Sequence, residues 1–154
     1  MITGFQATMA VDDGGTGAAS GAASTKFVGL TTFDLPSLEA GSFDATELDQ
    51  DDGGGTPAPD PYERTEPTGT IKVGPSNAEI KYTKANFLRL QKLVGKRGYT
   101  FVLTSPDDLT SGSPTKLATT FKGYVSKLDK VKFEKGNPAV IPFEITVSKQ
   151  PTYT

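Results

Sequence analysis

The chain has 154 residues with 16 Lys and Arg, 18 Asp and Glu, and no Cys, His or Trp. That length suits one domain able to bury about 68–70% of the surface its unfolded chain exposes, and the missing Cys and His exclude disulfides, thiolate metal sites, thiol nucleophiles and most hydrolytic triads. The formal charge of −2 hides a polarity, because residues 1–66 sum to −10 and residues 67–154 to +8, and a dipolar chain can pair head to tail.

Residues 1–25 offer one short strand, Phe5 to Val11, and then DDGGTGAASGAAS, small residues that cannot offset the entropy of ordering by themselves. They read as a flexible N-terminal arm or a hairpin loop. The start has no basic segment followed by an apolar one, and nowhere do about 18 apolar residues run together, so neither a signal peptide nor a membrane span is expected. The composition suits an intracellular or particle-borne protein.

Lys26 to Phe33 reads as a strand, Pro36 and Gly41 as a corner, and Ser42 to Leu48 as a second extended run. Residues 49–66 form an acidic, Gly/Pro-rich loop longer than compact domains usually hold, which marks it for partner contacts. Thr68 to Val73 and Glu79 to Tyr82 are expected to pair as a hairpin turned at GPSN. A helix follows, with Thr83 as N-cap, an apolar stripe at Phe87, Leu90 and Val94, and Gly95 at its end. Tyr99 to Thr104 alternates as a strand, and Leu117 to Leu128 turns Phe121 and Val125 inward with Lys122 and Ser126 outward. In the last run Ile141, Phe143, Ile145 and Val147 alternate with Pro142, Glu144, Thr146 and Ser148, a half-buried antiparallel strand. Pro142 places the early part of that strand at a sheet edge. Seven to nine strands and one central helix predict a β-rich α+β domain, either two packed sheets or an open barrel, capped by the helix.

Chemistry-bearing motifs are thin. Asp49, Asp51, Gly54 and Asp60 imitate a calcium loop poorly, since Gly53 stands where a ligand belongs and no Glu closes the site. Gly14, Gly15, Gly17 and Gly21 lack the preceding strand and following helix of a phosphate cradle and read as linker glycines. The pairs Asp44 with Glu47 and Asp107 with Asp108 have no apolar pocket to raise a carboxyl pKa for glycosidase chemistry. Phe121, Tyr124 and Phe133 among the lysines read as sheet filling, not as a base-stacking platform. No cofactor and no enzymatic activity are expected.

The order of elements, with FDLPSLEAGSFDATELDQDD before the long loop, then FKGYVSKLDKV and VIPFEITVSKQPT, resembles the major tail tube proteins of long, non-contractile-tailed bacteriophages over residues 26–154. The resemblance implies a β-sandwich or half-barrel of two antiparallel sheets flanked by one α-helix. It implies self-assembly into hexameric rings that stack into a tube, the conduit for DNA ejection. Tail terminator, tape measure and tail-tip proteins would be further partners, with DNA passing non-specifically and no membrane contact. The location would be the virion tail, and the host cytoplasm during assembly.

On that reading Asp44, Glu47, Asp49, Asp51 and Asp52 are lumen or inter-ring carboxylates, since a bore that gripped phosphates would stall ejection. Asp60, Tyr62, Glu63, Arg64 and Glu66 belong to an inter-subunit loop, and Lys122, Lys127, Lys130 and Lys132 are its basic stacking partners. The tube of a contractile tail or secretion system is the related alternative. A monomeric β-sandwich binding module is the alternative of another class, disfavoured for sugars by the missing Trp.

Overall fold

The computed structural model describes residues 7–44, 65–106 and 115–154. In chain order these form β1 (Thr8–Val11), β2 (Thr25–Lys26), β3 (Leu30–Phe33), β4 (Leu38–Asp44), β5 (Thr65–Val73), β6 (Ser76–Lys81), α1 (Lys84–Leu93), β7 (Tyr99–Thr104), β8 (Ala118–Leu128), β9 (Val140–Val147) and β10 (Thr152–Tyr153). They divide into two compact units, Leu38–Val73 and the remainder of the chain.

In the larger unit, residue alternation sets the sheet. Along β9 the side chains of Ile141, Phe143 and Ile145 are buried while those between them are half-exposed, and β7 does the same with Tyr99, Phe101 and Leu103. The antiparallel order is β2-β1-β7-β8-β9-β6-β3, with β10 also on β8. Laid flat, the two outermost strands would stand roughly 29 Å apart, at about 4.8 Å per neighbour. Yet β2 ends at Lys26 and β3 begins at Leu30, a link that reaches about 14 Å at most. The sheet must therefore curl until its edges approach, and the Phe27 ring lies 6.1 Å from that of Phe143 on β9. Met9, Val11, Phe101, Phe121, Val125 and Ile145 fill the inside together with Leu90 and Leu93 of α1.

The helix is capped as its sequence predicts. The Thr83 hydroxyl accepts the Asn86 N–H at 3.1 Å, and Gly95 follows the last turn with a positive φ of 73°. Its buried face is rotated by one residue from the expected stripe: Asn86, Arg89, Leu90 and Leu93 are inside, and Val94 is exposed. The rotation is possible because the two polar members have partners. Asn86 Nδ2 donates to the carbonyls of Val28 and Lys81 at 2.9 and 3.1 Å, which removes the cost of burying it.

Several local expectations are corrected. The run from Lys26 to Phe33 is not one strand, because the chain hops between sheet edges at Phe27 to Gly29 and turns at Gly29 with φ 85°. The expected hairpin at GPSN does not form; β5 pairs with β4, while β6 lies between β9 and β3. Pro142, by contrast, lies as expected in an early part of β9 that is a sheet edge on its β8 side, and it pairs only with Glu79 of β6. It is tolerated there because β8 has ended at Leu128 opposite Phe143, so the missing N–H faces no ladder partner, and the Pro142 carbonyl accepts from Asp129 N–H at 2.9 Å instead.

The smaller unit is the β4–β5 hairpin. Gly41 is inside β4, not at a corner, and faces a bulge of β5 containing Thr68, Gly69 and Thr70. A Cβ at Gly41 would meet the two threonine hydroxyls at 2.5 and 2.6 Å, so the bulge requires glycine there. β5 is exposed along its length up to Lys72, and Leu38 and Ile71 are about half exposed.

Candidate assembly surfaces

The residues read as a flexible arm or a hairpin loop are, from residue 7 onward, a hairpin of β1 and β2 tied to the helix. Val11 pairs with Thr25 and Ala10 with Lys26, so residues 12–24 are the hairpin loop. Asp12 accepts the N–H of Thr100 at 2.7 Å and of Gly21 at 3.1 Å, fastening the loop to β7. Tyr99 donates its hydroxyl to the Ala18 carbonyl. Burial and the nearby charges of Asp13 and Asp12 push that phenol's pKa up.

At the root of the loop Asp13 is fully buried and meets the buried Arg89 in a two-pronged pair, Nε to Oδ2 at 2.7 Å and Nη2 to Oδ1 at 2.6 Å. Arg89 also donates to the carbonyls of Thr25 at 2.8 Å and Lys26 at 3.3 Å, and its guanidinium sits 3.9 Å above the Phe27 ring. Gly15 and Gly17 donate their N–H groups to the Asp13 carboxylate at 2.8 and 3.1 Å. Burial pushes the Asp13 carboxyl up, but the Arg89 bond and charge and the two glycine amides outweigh it and hold its pKa below the usual value. The glycines read as linker thus make an anion nest, and the anion is the chain's own. Gly17 has φ 75°, and a Cβ there would lie 2.6 Å from that of Lys92.

This pin was not read from the sequence. Its signal was an arginine beside Leu90 and Leu93 on the helix and an acidic pair heading a glycine-rich turn, which together suggest a buried partner for each.

Among the described residues of the larger unit, two surfaces stand open. The outer side of β3 has no strand neighbour among the described residues. Beside it is a groove of about 480 Å³, lined by Leu30, Phe33, Leu35 and Pro106 among others. The second surface is the loop from Asp129 to Ala139, where Phe133 is 67% exposed and stands edge-on to Tyr82 at 4.9 Å between centroids. Phe133, expected as sheet filling, is therefore a surface residue.

Asp44 closes β4 opposite Thr65, and Glu66 is on β5 opposite Phe43. Glu47, Asp49, Asp51, Asp52, Asp60, Tyr62, Glu63 and Arg64 lie outside the described residues, as do Asp107 and Asp108. Of the basic residues, Lys122 is exposed on β8 opposite Thr100. Lys127 is on β8 and pairs with Asp129 at 3.1 Å. Lys130 and Lys132 are on the following loop, not on a strand, and Lys132 pairs with Glu134 at 2.6 Å. The Lys132 and Asn137 hydrogen bonds hold the Glu134 carboxyl below its ordinary pKa. Among the described residues no group of three or more His, Cys, Asp or Glu could hold a metal ion.

A curled antiparallel sheet with one helix on its core, a hairpin unit and an open edge can be compared with solved structures. A protein in the tail of an empty gene transfer agent particle, refined with C6 symmetry, matches with a TM-score of 0.62 at 13% identity, over 100% of this chain and 99% of that one. The chain has the tail tube fold. A protein of the anti-feeding prophage baseplate matches with a TM-score of 0.64 at 7% identity, over 100% of this chain and 95% of that one. An Hcp protein matches at 0.50 and 11%, over 96% and 97%. No protein-family model and no curated protein sequence matches the chain. At these identities the likeness is one of fold.

Proposed function

We propose that this chain is a structural protein of a virion tail, without enzymatic activity, which assembles with copies of itself into hexameric rings stacked as a tube for DNA ejection. The observation that carries the reading is the β4–β5 hairpin, a two-stranded ribbon exposed along most of β5. Such a ribbon is marginal alone and needs further strands or a packing partner. A second copy supplies one, and a repeating head-to-tail contact closes into a ring when its rotation permits. The full-length likeness to a protein of a six-fold symmetric tail supports this reading.

The division of charge between the two ends of the chain supports stacking of one ring on the next. The carboxylates of residues 44–52 would line the bore or the ring junction, and residues 60–66 would reach the neighbouring subunit. Likeness to the anti-feeding prophage baseplate protein favours a second reading, a tube of a contractile tail or secretion system.

Negative-stain electron microscopy over a concentration series, paired with sedimentation, tests the proposal. Rings or hollow tubes of uniform width are expected. A chain that stays monomeric at every concentration, and also in the presence of tail-tip components, would overturn it.

A further inference from the structure

We propose that the exposed Tyr82–Phe133 pair and its rim of lysines form a docking site for the acidic, proline-bearing segment 45–64 of a second copy. The inference rests on the self-assembly reading and assigns one contact within it. Phe133 is the most exposed ring among the described residues of the larger unit, yet Tyr82 holds it in a defined edge-to-face arrangement, and the Phe87 ring lies 6.4 Å from that of Tyr82. An aromatic surface already held in place loses little entropy when it is covered.

Its charge is unbalanced. The two acids of the loop, Asp129 and Glu134, are taken by Lys127 and Lys132. Lys130 and Lys135 flank Phe133 on the same loop and have no described acidic partner, and Lys84 follows Tyr82 by two residues. The patch therefore calls for an anionic ligand with flat or ring-shaped apolar groups. Segment 45–64 has six carboxylates against Arg64, a net charge of −5, and contains Pro57, Pro59, Pro61 and Tyr62. Alternate prolines have restricted backbones and dock on aromatic-lined surfaces at low entropic cost. Asp60 and Glu63 bracket Pro61 and Tyr62, so the same stretch offers rings to Tyr82 and Phe133 and carboxylates to Lys130 and Lys135. Nucleic acid also seeks lysines around an exposed ring, but a conduit that bound DNA at every subunit would oppose its passage.

The test places photoreactive p-benzoylphenylalanine at position 133 of the full chain, mixes isotope-labelled with unlabelled protein, and maps the cross-links by mass spectrometry. Cross-links to residues 45–64 are expected, with mixed-isotope pairs showing that the two partners are different copies. Cross-links confined to one copy, to another surface, or to added single-stranded DNA in place of the segment overturn the proposal, as does the absence of any cross-link.

Phe133→Ala, at a residue already exposed, is expected to raise the concentration threshold for assembly about tenfold, in keeping with a central aromatic contact. The reversal Lys130→Glu with Lys135→Glu should be rescued by Asp60→Lys with Glu63→Lys. Tubes that form with cross-links elsewhere overturn the docking and leave the tube reading intact. Copy-to-copy cross-links at the segment in a chain that forms no rings uphold the docking and remove the tube reading.

Discussion

Replacing Arg89 by methionine should cost this protein more than any exposed ion pair it has. Methionine keeps a flexible apolar stem against Phe27, whose ring the guanidinium covers at 3.9 Å. It leaves Asp13, which has no exposed surface, with only the N–H groups of Gly15 and Gly17 as partners. Removing one member of a buried pair strands the other charge and costs about 3–5 kcal/mol, a large share of the roughly 5–15 kcal/mol that holds a typical domain folded. With a urea dependence of about 2 kcal/mol/M, the unfolding midpoint should fall by about 1.5–2.5 M. With five Tyr and no Trp, tyrosine fluorescence and far-ultraviolet circular dichroism can follow the transition at concentrations below assembly. Lys127→Met breaks the exposed pair with Asp129 and should cost no more than about 1 kcal/mol. Adding Asp13→Asn to Arg89→Met removes the stranded charge and should recover part of the loss. The reasoning fails if Arg89→Met costs under about 1 kcal/mol, or if the double variant is no more stable than the single one.

Two further outcomes follow from buried polar groups. The folded-state pKa of Asp13 is held below its ordinary value by Arg89 and the glycine amides, so the contribution of its charge is complete above about pH 4 and is lost as acid takes the pH through the lowered folded value; amide exchange at Gly15 and Gly17, corrected for its intrinsic pH dependence, should lose protection in that window and not at neutral pH. Thr119 is fully buried on β8 with its hydroxyl unpartnered, so Thr119→Val, of nearly equal shape, should leave the unfolding free energy from urea titration unchanged or raise it by up to about 1 kcal/mol, and a marked loss would show that the hydroxyl has a partner.

What was legible in the sequence is what short-range rules govern. The Thr83 cap, the strands at Tyr99 to Thr104 and Val140 to Val147, and the inward set Phe121, Val125, Ile141, Phe143 and Ile145 all appear where alternation and capping place them. What was not legible depended on partners distant in the chain. Gly41 looked like a turn because a glycine between polar runs usually is one; only the opposing bulge at Thr68 to Thr70 shows that it clears space within a strand. For loop residues 12–24 the sequence left a flexible arm and a hairpin loop both open, because their own composition buries almost nothing, and what ties the loop down is Arg89, 76 positions beyond Asp13. The helix stripe was displaced by one residue for the same reason, since a charged residue is assigned to solvent until its counter-charge is known. The candidate assembly residues divide along similar lines: lysines on strands and loops could be placed, but no alternation rule foretold that Phe133 would be left outside.

The Arg89 pin also bears on how the larger unit presents its edges. A curled sheet that fails to close has two edges, and an assembly built on edge pairing must keep them distinct, or copies join in the wrong sense. Here the edges are chemically unlike. β2 is only two residues long, and both of its carbonyls accept from Arg89, so it offers little backbone for pairing. β3 is longer, pairs only with β6 among the described residues, and borders an apolar groove with Leu30 and Phe33. The same buried ion pair that stabilises the N-terminal hairpin thus blunts one edge, and among the described residues β3 is the edge with backbone left to pair.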